Sequence, residues 1–136
     1  MGEVGMKTIV LILLFTSGVF ADKPSSVFHK VKVMSVYDGD TFSIELKNLN
    51  PLFGEKLSVR VKGVDTPEIK GGTVESKAKA VLARDFVRAQ IAKSKRVDLS
   101  NCTRGKYFRI VCDVSIDGKD LGKQLLDGNY AKVYGE

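Results

Sequence analysis

Three short segments gather most of the residues able to do chemistry. Asp38-Gly39-Asp40-Thr41 places two carboxylates around a glycine. Arg60 is followed by Asp65-Thr66-Pro67-Glu68, and Lys106-Tyr107-Phe108-Arg109 sets two cations around two aromatic rings. Singly, each has an ordinary explanation: an Asp-Gly turn, a turn leading into a helix, a strand arginine facing solvent. Together they suit one reaction, hydrolysis of a phosphodiester. Water must be driven onto a phosphorus shielded by negative oxygens, and a hard divalent cation neutralises that charge. Such cations take carboxylate, carbonyl and water oxygens, which Asp40 and Asp65 can supply. Guanidinium groups grip phosphate oxygens in pairs and keep their charge, so Arg60 and Arg109 suit transition-state stabilisation. Glu68 is the carboxylate left to position or deprotonate the water. No histidine or cysteine nucleophile is needed.

These segments must be positioned by strands. Val31, Val33 and Ser35 alternate with Lys32, Met34 and Val36, and after the Asp38-Gly39 turn Phe42, Ile44 and Leu46 alternate with Ser43, Glu45 and Lys47. Leu57, Val59 and Val61 mark a third strand with Arg60 and Lys62 on its other face, and the three suit a meander. Thr73 is a candidate cap for a helix with Glu75 in its first turn. Ala78, Val81, Leu82, Phe86 and Ala89 recur at helical spacing, which predicts that they form its buried stripe. Lys77, Lys79, Arg84 and Arg88 then form a solvated face, and the basic residues from 93 to 96 close the helix. Two further strands are expected near 97–102 and 107–116, then a turn at Asp117-Gly118. A short helix through Leu121 and Leu125 is stopped by Gly128, before an extended segment from 130 to 134. The expected fold is α+β and mainly β: an OB-like five-stranded barrel with a helix after strand three and a short C-terminal helix.

The chain has 136 residues, room for one domain, and no Trp, so its seven Phe and four Tyr must anchor a modest core. A net charge of +6 attracts polyanions, nucleic acid or acidic lipid. Lys7 precedes an apolar run at residues 9–15, followed by small residues up to Ala21, the pattern of a signal peptide cleaved after Ala21. The rival, an uncleaved anchor, needs about 20 apolar residues to span a bilayer. Residues 1–21 are therefore expected to be a signal peptide, 22–29 a flexible leader and 30–136 the folded domain. Export puts Cys102 and Cys112 in an oxidising compartment. Whether they face each other depends on a hairpin register that the sequence leaves open. Their spacing fits no zinc pattern, and His29, the single histidine, reads as a surface residue.

The segments at residues 36–41, 60–68 and 106–109 resemble, in order, three signature segments of the staphylococcal nuclease family. The spacing from Arg60 to Asp-Thr-Pro-Glu is the most specific of the signals. The resemblance extends over residues 30 to 134 and implies roles position by position. Asp40 and Asp65 match the family's calcium-binding aspartates, and Thr66 the threonine whose carbonyl completes that site. Glu68 matches the general base, Arg60 and Arg109 the phosphate-binding arginines. Tyr107 and Tyr134 approximate its nucleotide-contacting tyrosines, Tyr134 across an alignment gap. Three departures stand out. Phe108 occupies a position where the family often has glycine, and the loop at residues 69–73 is short. The chain ends at Glu136 without the prototype's last helix, as a short member or a fragment would.

The resulting expectation is a secreted or periplasmic nuclease that uses one calcium ion, or another hard divalent cation, to hydrolyse DNA and RNA. It would attack the 5′ P–O bond and leave 3′-phosphate ends. As a single small domain it defaults to a monomer, with no stable membrane association once the signal is removed. The alternative is a non-catalytic OB module that binds single strands through a basic groove and stacking aromatics. A basic protein with a membrane or protein partner is a third reading, and it lacks an amphipathic stretch outside the signal.

Overall fold

The computed structural model describes Gly2, Gly5 and residues 26–48, 52 and 54–135. Apart from Gly2 and Gly5, the expected signal peptide and its cleavage site lie outside the described residues, as do residues 22–25. The elements run β1 (Val33–Val36), β2 (Thr41–Glu45), β3 (Lys56–Val61), β4 (Val64–Asp65), α1 (Val74–Ala92), β5 (Val97–Arg104), β6 (Arg109–Ile116), β7 (Lys119–Asp120), α2 (Leu121–Asp127) and β8 (Lys132–Val133).

The five long strands lie in the order β1-β2-β3-β6-β5. β1 to β3 form the expected antiparallel meander, β6 runs parallel to β3, and β5 pairs antiparallel with β6. That order, with the helix between β3 and β5, is the OB-like α+β arrangement. The segment before β1 reaches β5, with Val31 N–H donating to Val97 O at 2.9 Å. Phe28 exchanges two backbone hydrogen bonds with Leu99. Residues 26–28, expected in a flexible leader, are thus tied to the barrel.

Strand alternation follows the sequence where both faces differ in polarity. Phe42, Ile44, Val59 and Val61 are buried, and Val97, Leu99, Cys112, Val114 and Ile116 complete the interior from the other side. Strand one begins at Val33, later than its alternation suggests. Lys30 has φ 52°, and a bulge between Val33 and Ser35 turns Val36 inward and leaves Met34 exposed.

The cap on α1 is as expected: Thr73 Oγ1 accepts from Ser76 N–H at 3.1 Å. Its buried face is as expected only in part, with Phe86 packed against the core. Ala80, Ala83 and Val87 face the barrel, whereas Leu82 is exposed and so are Ala78 and Ala89. The reason is close approach. A Cβ on Gly39 would lie 2.8 Å from Ala83 Cβ and 2.8 Å from Thr66 Cγ2. Only small residues let the helix sit this near the β1–β2 loop. Gly39 is therefore required for space rather than for turn geometry. α2 is capped by Asp120, which accepts from Lys123 N–H at 2.7 Å, and packs Leu121 and Leu125 into the core.

Cys102 and Cys112 form a disulfide across β5 and β6. The register shift between Ser100 and Thr103 sets Cys102 opposite Cys112, a bulge that alternation alone does not reveal.

Candidate functional site

The β1–β2 loop, the end of β3 and β4 meet at one end of the barrel. Asp40 is 2% exposed. Its Oδ1 accepts from Thr41 Oγ1 at 2.9 Å and from Arg60 Nη1 at 3.0 Å, and its Oδ2 accepts from Thr66 N–H at 2.9 Å. Arg60 lies opposite Thr41 in the β2–β3 register, which aims it at this loop. Its Nη2 donates to Asp65 Oδ1 at 3.2 Å and to Val64 O at 3.3 Å. One guanidinium thus bridges both aspartates. β4 is held in place by β8, with Asp65 opposite Lys132.

Asp38 lies behind Asp40 and is 7% exposed. Burial, first, and then the nearby Asp40 carboxylate raise its pKa to about 6, against hydrogen bonds from Asp40 N–H and Thr41. An Asp-Gly pair reads as turn chemistry, yet α1 packs against the adjacent Gly39 and Asp38 is buried. An Asp-x-Asp spacing ahead of a strand was the available signal.

Beside this cluster opens a cleft of about 560 Å³, lined by Asp65, Thr66, Pro67 and Glu68 and by residues 129–132. Glu68 is exposed in it. Tyr134, also exposed, places its ring 5.3 Å from the Arg60 guanidinium, within cation–π range. The structure therefore brings together Asp40, Arg60, Asp65 and Thr66, with Glu68 and Tyr134 at the rim.

Arg109 stands apart. β6 pairs with β3 so that Arg109 is opposite Ser58 and Val111 opposite Arg60. Arg109 thus shares a sheet face with Arg60 but sits two residues, roughly 7 Å, further along the strand. It lines a different groove, and its Nε is buried without a hydrogen-bond partner. Tyr107 is exposed in the β5–β6 turn. His29 is on the surface, 3.3 Å from Asp98.

Residues 58–136 match the family model of the staphylococcal nuclease homologues. The chain belongs to the staphylococcal nuclease family. This is a family of nucleases and nucleic-acid-binding proteins, and the match takes in Arg60, Asp65, Thr66, Glu68, Tyr107, Arg109 and Tyr134 but begins after Asp40. No curated protein matches the chain.

The family resemblance implies a hard cation, and oxygen donors of the type such an ion takes are gathered here. Asp40 and Asp65 are carboxylates on adjacent elements, Asp38 adds a second buried acid, and Thr66 Oγ1 is buried with no partner. Among the described residues, no three acidic, histidine or cysteine side chains form a ready-made cluster. Carbonyl and water oxygens would have to complete the shell.

Proposed function

We propose that this protein is an exported, divalent-metal-dependent nuclease that hydrolyses phosphodiester bonds of DNA and RNA. The observation that carries the reading is Arg60 bridging Asp40 and Asp65 at the mouth of a cleft that holds Glu68. Asp40, Asp65 and the Thr66 carbonyl would hold one ion, calcium by the family's example. An ion held by these residues would supply positive charge to offset the negative charge of the phosphate. Arg60, with one face against Tyr134, presents guanidinium N–H groups to the phosphate oxygens. Arg109 grips the strand one step further along the same sheet face. Glu68, open to solvent, takes a proton from the attacking water. The 5′ P–O bond breaks, the 5′ oxygen leaves with a proton taken from solvent, and a 3′-phosphate end remains.

Export is supported by the apolar run at residues 9–15 after Lys7 and by the disulfide, which oxidising compartments maintain. Among the described residues no helix is long and apolar enough to cross a membrane.

The position of Arg109 favours the rival reading, a non-catalytic single-strand-binding module, since one of the two expected phosphate-binding arginines lines another groove. Digestion of single-stranded DNA separates the two. The nuclease reading expects cleavage with calcium, none with chelator, and a loss of about 100-fold or more in Glu68→Gln. Salt-sensitive binding without cleavage under any divalent metal would establish the binding module instead.

A further inference from the structure

Beyond Arg109, the β5–β6 hairpin end of the barrel carries features that the proposed reaction does not use. Tyr107 and Phe108 are 88% and 79% exposed, adjacent, and both left-handed, at φ 58° and 56°. Non-glycine residues in that region cost free energy, and two in a row hold both rings out into solvent. Phe108 lines a groove of about 360 Å³ together with the apolar side chains of Phe28, Leu57 and Ile110 and with Arg104 and Arg109. Its walls are fixed. Phe28 is bridged to Leu99, Ser26 Oγ donates to Cys102 O at 2.6 Å, and the disulfide closes the base of the hairpin. No ion pair among the described residues involves Arg104, Lys106 or Arg109.

We infer that this groove is a base-binding subsite for an unpaired nucleotide of the bound strand, with Phe108 as its stacking residue. An apolar lining, an exposed ring and unpaired guanidinium groups match a flat base joined to a phosphate. A paired base in a duplex cannot offer its face to Phe108, so the subsite selects single strands. It continues the sheet face that carries Arg60 and then Arg109. The inference rests on the proposed nucleic-acid substrate and adds the strandedness that this chain's Phe108 confers.

Phe108→Gly is the test variant, because glycine accepts the left-handed backbone and the fold is kept. Binding is measured in chelator, by anisotropy and by the fluorescence of an adenine analogue, on a short single-stranded oligodeoxynucleotide and on its duplex. The subsite predicts that the variant binds the single strand about tenfold more weakly, with lost quenching, and binds the duplex as the parent does. Equal affinity of variant and parent for the single strand would overturn it. So would equal losses on both substrates, or failure of the parent to bind the single strand. Anionic vesicle binding that requires Phe108, with oligonucleotide binding unchanged, would overturn it in favour of a lipid surface. Cleavage is assayed separately with calcium. Phe108-dependent single-strand binding in a parent that never cleaves supports the subsite and removes only the nuclease reading. Cleavage by a parent whose binding ignores Phe108 removes only the subsite.

Discussion

The two ends of the barrel are built on opposite principles. At the acidic end, Asp38 and Asp40 are buried, Arg60 is mostly buried, and nearly every polar atom of Asp40 and Arg60 is engaged by a neighbour. At the hairpin end, Tyr107, Phe108, Arg104 and Lys106 are exposed, and the basic side chains have no acidic partner among the described residues. A buried, interlocked set fixes the positions of charges, as electrostatic catalysis demands. An exposed set of rings and free cations is placed for a partner that arrives with its own charge and its own flat faces. The same sheet face joins the two through Arg60 and Arg109. On the proposed function, the division of labour is between chemistry at one end and grip at the other.

The largest effect that would expose this contrast is loss of the bridging cation. Arg60→Met leaves Asp40 buried and unpaired beside Asp38, and should cost about 3–5 kcal/mol in urea unfolding. Removing an exposed cation such as Lys106 should change stability little. Next comes the hairpin's staple. The bond between Cys102 and Cys112 spans 10 residues of sequence, so the Cys102→Ala/Cys112→Ala protein should lose about 3 kcal/mol by loop entropy. Single-strand affinity should fall with it, while the acidic end keeps its geometry.

Asp38 gives a smaller and pH-dependent effect. Its pKa is about 6 in the folded protein against 3.8 for the ordinary group, so the folded state binds the proton more tightly. That contribution to stability is complete below about pH 4 and is lost as pH rises through 6. In chelator at pH 7, Asp38→Asn should therefore be more stable than the parent by on the order of 2 kcal/mol. The gain should vanish near pH 4. A gain that persists unchanged at pH 4 would mean that Asp38 carries no such burden. The smallest effect belongs to Phe108→Gly. It relieves a left-handed residue at an exposed turn and should raise stability by up to about 1 kcal/mol. The hairpin's aromatic ring is thus held at a cost to stability that the fold itself does not require.

Strands β2 and β3 were legible because their alternation has a strongly apolar side, and the signature spacing from Arg60 to Glu68 is local. The buried face of α1 was not. Its apolar residues are spread around the helix, and Ala80 and Ala83 are chosen by the approach of Gly39 and Thr66, elements distant in sequence. The pairing of the cysteines turns on a bulge opposite Cys112, a two-strand property. The separation of Arg109 from the cleft depends on the parallel register of β3 and β6, which no local pattern encodes. Asp38 was hidden because an Asp-Gly pair reads equally well as a turn.

On the proposed function, the acidic end binds a divalent ion and works through it. The most direct measurement is calcium titration by calorimetry, with cleavage of single-stranded DNA followed in parallel, on the parent and on Asp65→Asn. Asp65 has a side chain 41% exposed, so the substitution leaves the core intact. The parent should show one calcium site, weakened at least tenfold in the variant, with cleavage lost in proportion. Cleavage that persists in chelator, or calcium binding that is indifferent to Asp65, would contradict it.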